Sequence, residues 1–362
     1  MLYFSRTNYK ELTSIISCLS NNAKKSEHYD LVLIRLDGIG DYVIWHDTLS
    51  SYKKKFIEKR VLLICDNSVR SIAEQEPFFS DIISFRRTDA PMILKCLKRI
   101  EADLVINTMR ERPWFADICS MAITAKEKLA INTTDKKYLF KRIYNNSYSK
   151  LINLSNRYSE VLADEEFTQF VIDKNYKYGS HKLRVNVETP ALKSPYVVIA
   201  FSSSSIKRNW PLERFVEIIN VINSKYNIII TGAGDTDSVG ADIILKNVIN
   251  KNRVINLVNK TTIAQIVAII SNSSLVIGND SSAVHIAAAT GVPSVAIVPG
   301  AHYGRFLPYP DDIKMNCKPI VVAAKMECFN CDYRCIFNTT PYECINRVSF
   351  EMVKNALNEI IE

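Results

Sequence analysis

The sequence predicts an α/β protein made of two Rossmann-like domains. Three observations support this prediction. Short apolar runs alternate with helical patterns, the alternation starts again after residue 190, and the 362 residues suffice for two domains of about 100–200 residues each. Strands that alternate with helices are typical of a parallel sheet with helices on both faces.

The first alternating set follows a polar stretch, residues 1–28, which we predict to be a helical extension. A helical pattern extends from 42 to 56, and residues 135–180 are expected to hold helices that cap the first domain. Apolar runs predict the strands of this half at 31–34, 61–64, 82–85 and 104–107.

Pro190 interrupts a polar stretch and marks the predicted linker, which divides the chain into domains 29–189 and 190–362. Because no segment repeats with a period of about 20–50 residues, the pattern argues against a solenoid. Strands of the second domain are predicted at 196–201, 227–231, 254–257, 275–278 and 294–298. Its helices are predicted at 211–224, 262–271, 282–290 and 350–361.

The chain carries 46 basic and 38 acidic residues, and most of the excess lies in its first half. Residues 1–190 hold 30 basic and 24 acidic side chains, whereas the remainder holds 16 and 14. Basic clusters at 53–60 and 86–87 would attract nucleic acid, an acidic membrane surface or a phosphorylated glycan, although a solvated helix face has the same pattern. We predict no nucleic-acid partner, since aromatic and basic residues do not interleave as they do in single-strand binders.

The first residues lack the apolar stretch and the small-residue cleavage site of a secretory signal. Every apolar run is shorter than the ~18 residues that span a bilayer. We therefore expect a cytoplasmic protein.

A glycine-containing turn follows the first predicted strand. Gly38 and Gly40 permit a tight turn and a close approach of the backbone, and Asp41 comes directly after them. Ligands of open α/β sheets bind beyond the carboxyl ends of strands, so Asp41 could remove a proton from a substrate hydroxyl. Asp also caps helices often, which leaves a second interpretation open. The spacing differs from Gly-x-Gly-x-x-Gly and argues against a dinucleotide fingerprint.

A serine-rich loop with two cations follows the first strand of the second half. Ser202 and Ser203 offer hydroxyl and backbone donors, and Lys207 and Arg208 add positive charge just before a helix. These groups suit a diphosphate, whose charge must be neutralised when it departs. The alternative is an ordinary polar loop.

A third loop, residues 278–285, joins a strand to a helix of small residues. Backbone N–H groups at the start of such a helix can hold phosphate oxygens, which makes Asp280, Ser281 and Ser282 candidates for ligand binding. His285 follows Ser281 by one helical turn and could face the same ligand, although a single histidine is more often structural.

Gly232 lies in a glycine-rich loop that we expect to line a nucleotide pocket. The loop continues into an Asp-x-Asp pattern at 235–237, which holds a divalent metal in some other enzymes but is read here as part of the loop.

Four of the nine cysteines cluster near the C-terminus, at Cys328, Cys331, Cys335 and Cys344. Four thiolates with this spacing could form a tetrahedral structural zinc or iron site. Reduced packing thiols are a second interpretation, and a disulfide, which a reducing cytoplasm disfavours, is a third.

These motifs, in this order, resemble those of glycosyltransferase family 9, the ADP-heptose:lipopolysaccharide heptosyltransferases. The resemblance extends from about Leu31 to the C-terminus, and it includes the cysteine cluster. The other segments that carry it are 35–41 (RLDGIGD), 207–215 (KRNWPLERF) and 278–285 (GNDSSAVH). Together, their order and spacing are more specific than any single motif.

The resemblance implies a GT-B fold, in which two Rossmann-like domains face each other across a cleft. It implies an acceptor-binding first domain, with Asp41 as the general base and with Gly38 and Gly40 in its loop. It also implies an inverting reaction that requires no metal. By this resemblance the second domain would bind a nucleotide sugar through Lys207, Arg208, Asp280, Ser281, Ser282 and His285. From the loop patterns described above, Ser202, Ser203 and Gly232 are expected to line the same donor site.

The resulting prediction is an enzyme that moves heptose from ADP-heptose to a phosphorylated lipopolysaccharide-core or related surface-glycan acceptor. Its work would bring it into peripheral contact with the inner face of the inner membrane. Two alternatives stay open: a family relative with another nucleotide sugar or a protein acceptor, and a non-catalytic protein that binds a nucleotide or a partner. The chain departs from the family pattern in the extension before residue 29, at Asp47, where Pro is common, and at Ser282, where Gly is usual.

Overall fold

The computed structural model describes residues 13–14, 27–86, 89–133, 141–156, 158–179, 181–315 and 317–361. The chain forms two compact units, one of residues 1–157 and 162–176 and the other of residues 158–161 and 177–362. The predicted extension, 1–28, lies outside the described residues except at 13–14 and 27–28, and Glu27 already belongs to the first strand. Among the described residues, no helix is long and apolar enough to cross a bilayer.

Six parallel strands form the sheet of the first unit in the order β3-β2-β1-β4-β5-β6. The central strands β1 and β2 are nearly continuous apolar segments, as expected for strands that are buried on both faces of a parallel sheet. The six strands are β1 (Glu27–Arg35), β2 (Val61–Asp66), β3 (Asp81–Phe85), β4 (Ile100–Asn107), β5 (Thr124–Ile131) and β6 (Lys150–Ile152).

Helices of the first unit pack on this sheet through a shared core. Leu97 and Ile118 are buried in one cluster with Val32 and Ile34 of β1. Burial of each aliphatic side chain contributes about 1.5–3 kcal/mol, so this core fixes the end of β1 from which the Asp41 loop starts. The helices are α1 (Ile39–His46), α2 (Leu49–Lys55), α3 (Arg70–Ala73), α4 (Ala90–Leu97), α5 (Trp114–Ala122), α6 (Lys141–Asn146) and α7 (Glu160–Val171).

The second unit holds another parallel sheet, in the order β12-β11-β10-β7-β8-β9. Counted from the first strand of each unit, both sheets have the same strand order, which is the order of Rossmann folds. The strands are β7 (Tyr196–Ala200), β8 (Asn227–Ile230), β9 (Val254–Asn256), β10 (Leu275–Asn279), β11 (Ser294–Ile297) and β12 (Ile320–Val322).

In the second unit, the start of α10 and the end of α11 carry residues typical of helix termini. At the start of α10, Thr262 and Gln265 form a reciprocal capping box. α11 ends at Gly291, which adopts a left-handed φ of 81°. The helices are α8 (Leu212–Ile222), α9 (Asp235–Asn247), α10 (Ile263–Ser271), α11 (Ser282–Thr290), α12 (Glu343–Asn346) and α13 (Phe350–Ile361).

The predicted α/β fold class with two Rossmann-like domains is confirmed. The single helix predicted at 42–56 is wrong, because the chain breaks there into α1 and α2. At the break, the Thr48 hydroxyl donates to the Trp45 carbonyl (2.7 Å) and Asp47 accepts from the Tyr176 hydroxyl (2.6 Å). Strands β5, β6 and β12 and helix α9 were not predicted from sequence.

Residues 177–189, placed in the first domain by the sequence analysis, belong to the second unit. The Leu183 amide donates to the Ala289 carbonyl (3.0 Å), and the Glu188 carbonyl accepts from the Gln265 side chain (3.0 Å). These bonds attach the segment to α11 and α10.

Candidate active site

The strand order reverses at one place in each sheet, between β1 and β4 and between β7 and β10. Open α/β sheets bind ligands beyond the carboxyl ends of the strands at such a reversal. The loop that carries Asp41 follows β1, the serine-rich loop follows β7, and residues 280–282 follow β10. In each unit, the candidate residues therefore lie at the place where folds of this kind bind ligands.

Asp41 lies in the first turn of α1 and is partly exposed. The helix begins at Gly38, which occupies the N-cap and whose carbonyl accepts from the Tyr42 amide (3.0 Å). Asp41 therefore does not cap the helix. Gly40 is already helical, and a Cβ atom at Gly38 would lie 3.5 Å from the Asp41 carboxylate. Within the described part of the chain, this carboxylate forms no hydrogen bond or ion pair, so it can accept a proton from a ligand.

Arg35 fixes the backbone of the Asp41 loop and was missed by the sequence analysis. Its guanidinium is 1% exposed and donates to the carbonyls of Asp41 and Thr108, both at 3.0 Å. Its Nε lies 2.8 Å from Asp37 Oδ1 and its Nη1 lies 3.5 Å from Asp164 Oδ1. The sequence signal that could have indicated Arg35 is a basic residue at the end of an otherwise apolar strand.

Asn279 joins the two polar loops of the second unit. Its buried side-chain amide donates to the Phe201 carbonyl (2.6 Å), and its Oδ1 accepts from the Trp210 amide (2.9 Å). The Trp210 indole N–H donates in turn to the Val348 carbonyl (2.8 Å). Both ends of the segment 201–210 are thereby held at the end of β10.

Within that segment, two serines form internal hydrogen bonds and two cations face outward. Ser203 donates from both its amide and its hydroxyl to Asn209 Oδ1, each at 2.8 Å. Residues Ile206–Arg208 form a 3-10 turn in which Lys207 is exposed and Arg208 is partly exposed. Arg208 also donates to the Ser204 hydroxyl. The turn thus presents two positive charges to a ligand.

The Asp-x-Asp pattern opens helix α9, and its second carboxylate is used within the protein. Asp237 Oδ2 accepts from the Ser202 hydroxyl (2.7 Å) and from the Ala233 amide (2.8 Å). A Cβ atom at Gly232 would lie 2.6 Å from the same oxygen, so only glycine permits this approach. Asp237 thereby joins the Gly232 loop to the serine-rich loop.

Residues 280–282 lead into α11, where Ser281 is the N-cap and forms no side-chain capping bond. The first N–H groups of a helix have no partner within the helix and attract anions. His285 is buried, with Nδ1 at 2.7 Å from the Tyr309 hydroxyl and Nε2 at 3.9 Å from Asp280 Oδ1. Burial lowers the pKa of His285, and the charge of Asp280 opposes the shift.

A family model for glycosyltransferase family 9 (heptosyltransferase) matches residues 124–333, more than half of the chain. The chain belongs to this family.

Known members of the family agree with this assignment. Lipopolysaccharide heptosyltransferase 3 of Escherichia coli K12 is 20% identical over 292 residues, which cover 76% of this chain and 83% of that protein. E. coli heptosyltransferase WaaC, solved with ADP, matches this chain with a TM-score of 0.69 at 13% sequence identity. The match covers 91% of this chain and 99% of the WaaC chain. At this identity the structural match shows the shared GT-B fold.

The iron-containing dodecameric heptosyltransferase TibC of enterotoxigenic E. coli, solved with ADP-D-β-D-heptose, has the same fold with a TM-score of 0.55. TibC is 13% identical to this chain, and the match covers 94% of this chain and 79% of the TibC chain.

The four clustered cysteines of this heptosyltransferase-family chain line one small cavity, together with Tyr333 and Tyr342. All four are free thiols in this structure. The cavity volume of about 10 Å³ matches a single water-sized occupant. The number and type of ligands fit zinc or iron. No three of these sulfurs lie within 4.8 Å of one another, so a bound ion would draw them closer together.

Proposed function

We propose that this protein transfers heptose from ADP-heptose to a hydroxyl group of a lipopolysaccharide-core or related surface-glycan acceptor. The observation that carries the proposal is the pair of polar loops in the second unit. Lys207 and Arg208 follow β7, and the start of α11 follows β10. A nucleoside diphosphate is the leaving group that such cations and helix N–H groups would stabilise. ADP is the ligand of the related WaaC structure.

In the proposed reaction, the second unit binds the donor. Lys207 and Arg208 would neutralise the diphosphate oxygens, and the first N–H groups of α11 at Ser281 and Ser282 would donate to them. Ser202, Ser203, Gly232 and His285 would line the remainder of the donor site. The C–O bond between the anomeric carbon and the diphosphate breaks as negative charge develops on the phosphate, so these donors act most strongly in the transition state.

The first unit would supply the base. Asp41 would take the proton of the acceptor hydroxyl while that oxygen attacks the anomeric carbon on the face opposite the diphosphate, which inverts the configuration. Arg35 supports this role because it binds the backbone carbonyl of Asp41 (3.0 Å) and leaves the carboxylate to the acceptor. No step of this chemistry requires a metal ion.

The charge of the first half suits an anionic acceptor. Six of the eight excess positive charges lie in residues 1–190, so a phosphorylated glycolipid would be attracted to this part of the chain. We propose that the enzyme meets such an acceptor at the cytoplasmic face of the inner membrane, as a peripheral protein.

The test is turnover with ADP-heptose and a heptose-deficient lipopolysaccharide core, with product configuration assigned by NMR. Asp41→Asn is expected to reduce kcat by about 10²–10⁴-fold, the usual contribution of a general base, and to leave ADP binding nearly unchanged. Asp66→Asn is the matched control, because Asp66 is the last residue of the neighbouring strand β2 and should retain full turnover. Full activity of Asp41→Asn would rule out the assigned base, and turnover with another nucleotide sugar alone would rule out heptose.

We propose further that Cys328, Cys331, Cys335 and Cys344 hold a structural zinc or iron ion. The ion would hold the loop of residues 328–344 together and would take no part in the transfer. The shared cavity of the four thiols supports this proposal, and the iron-containing relative TibC favours iron.

Elemental analysis of the protein purified under reducing conditions should find about one zinc or iron ion per chain. The double variant Cys331→Ser/Cys335→Ser should lose it and unfold at a lower temperature, because metal binding contributes to folding. Cys96→Ser is the matched control, since Cys96 is an exposed thiol outside the cluster. Equal metal content in the double variant and the control would show that these thiols are not the ligands.

A further inference from the structure

Two tyrosines of residues 328–344, the cysteine loop, lie beside the two cations of the serine-rich loop. The guanidinium carbon of Arg208 lies 6.0 Å from the centre of the Tyr333 ring, and Lys207 Nζ lies 5.6 Å from that of Tyr342. The two rings are themselves 5.7 Å apart with an interplanar angle of 30°. A cation within about 6 Å of an aromatic face is attracted by the ring quadrupole, so both cations have an aromatic partner from the same loop.

Hydrogen bonds hold the backbone of the cysteine loop at and next to these two tyrosines. The Tyr342 amide donates to the Lys207 carbonyl (2.8 Å), and the Asp332 amide donates to the Ala301 carbonyl (3.2 Å). His302 lies 2.7 Å from Asp332 Oδ1, and its ring meets that of Tyr333 edge-on at 4.6 Å. Tyr333 itself has a φ of 57°, a left-handed conformation that a bulky residue adopts only when its surroundings enforce it.

We propose that Tyr333 and Tyr342 are positioning residues for donor binding, which hold Arg208 and Lys207 in the orientation that receives the diphosphate. This inference rests on the proposed donor site. Lysine and arginine side chains lose much rotamer freedom when they bind a ligand. A cation already held against an aromatic ring loses less, so its contribution to affinity increases. The cysteine loop therefore tunes nucleotide affinity through its tyrosines.

The competing explanation is that the two rings only fill the wall of the cysteine cavity. In that case Tyr333→Ala would destabilise the loop, but its effect on nucleotide binding would not depend on whether Arg208 is present. A double-mutant cycle separates the two explanations, because residues that act on one another show non-additive effects.

The experiment measures the dissociation constant of the full-length protein for whichever of ADP, UDP, GDP and CDP binds most tightly. Calorimetry is performed on the wild type, Tyr333→Ala, Arg208→Ala and the double variant. Tyr333→Ala is expected to weaken binding roughly tenfold, and to cause no further loss when Arg208 is already absent. Tyr333→Phe keeps the ring and should restore most of the affinity.

Tyr226→Ala is the matched control. Tyr226 also pairs with a cation, Lys225, at 5.4 Å, and packs against the core of the same unit, but it lies outside both polar loops. Its removal should leave the dissociation constant unchanged even if it lowers thermal stability. Circular dichroism of each variant verifies that the fold is retained.

The outcomes separate the inference from the function on which it rests. If Arg208→Ala binds as tightly as the wild type, the proposed donor site is wrong and the inference fails with it. If Arg208→Ala is weakened but Tyr333→Ala binds normally, or if the two losses add, the donor site stands and the positioning role is overturned.

Discussion

Buried polar side chains decide which groups the loops of this heptosyltransferase-family protein can offer to a ligand. Arg35 binds the backbone of the Asp41 loop (3.0 Å), and Asn279 bonds both ends of the serine-rich loop. Each satisfies loop carbonyls or amides that would otherwise be buried without partners, which costs about 1–3 kcal/mol per group. The outward-facing Asp41, Lys207 and Arg208 can then be exposed without loss of loop structure.

Stability at mildly acidic pH should depend on His285. Burial lowers its pKa below the ordinary 6.5, against the opposing charge of Asp280. The folded imidazole therefore stays neutral while the unfolded one becomes protonated below about pH 6.5. Since the unfolded chain then binds more protons, the free energy of unfolding falls as pH decreases from 6.5 towards the folded pKa.

Urea unfolding at pH 7.5, 6.5 and 5.5 measures this dependence. For His285→Gln we expect a flatter profile than for the wild type, by at most about 1.4 kcal/mol per pH unit. Identical slopes for His285→Gln and the wild type would show that the buried imidazole does not titrate in this way.

The loops that carry the candidate residues were predictable from sequence, whereas the residues that hold these loops were not. Asp41, Lys207 and Arg208 lie in loops or first helical turns that follow apolar strands, so local pattern alone places them beyond strand ends. Tyr309 reaches His285 from 24 positions away, and the Trp210 indole reaches the Val348 carbonyl across 138 positions. Such partners depend on how distant loops meet, which no local spacing records.

At the scale of whole elements, a clear apolar run in the sequence made most strands predictable. β2 and β7 are buried through almost their whole length and appear as apolar runs. β5 begins with exposed and charged residues, so its first half has no apolar signal, and β6 and β12 have only three residues each. The break between α1 and α2 depends on the hydrogen bond between Asp47 and the distant Tyr176.

Gly278 in β10 lies so close to the neighbouring strand β7 that it should not tolerate a side chain. A Cβ atom there would lie 2.8 Å from the carbonyl oxygen of Ala200 and 2.9 Å from its Cβ. Gly278→Ala should therefore separate the two strands, lower the free energy of unfolding by about 1–3 kcal/mol, and weaken nucleotide binding because Asp280 and Ser282 follow β10.

Urea unfolding and nucleotide titration of this variant test the prediction. Gly38→Ala is the steric control, because its Cβ would meet only the Asp41 carboxylate at an ordinary 3.5 Å and its φ of −77° suits any residue. Its cost should be limited to the preference of the N-cap for glycine over alanine. A Gly278→Ala protein as stable as the wild type would mean that the strands can adjust without cost.

At the scale of the whole molecule, the chain repeats one strand order in two units, and both units carry a net positive charge. The first unit holds 27 basic and 22 acidic residues, and the second holds 19 and 16. In the second unit, Lys207 and Arg208 lie together in one 3-10 turn. An excess of positive charge in both units agrees with the proposal that one unit binds an anionic acceptor and the other a nucleotide sugar.

The measurement that tests the central claim most directly is the thermal stability of the full-length protein with ADP, UDP, GDP and CDP in turn, and then with ADP-heptose. A ligand at about 100 times its dissociation constant stabilises the folded protein by roughly 2.7 kcal/mol. We predict a clear rise in melting temperature with ADP and ADP-heptose, and little or none with the other three nucleotides. A rise with another nucleotide but not with ADP, or no rise with any, would contradict the account.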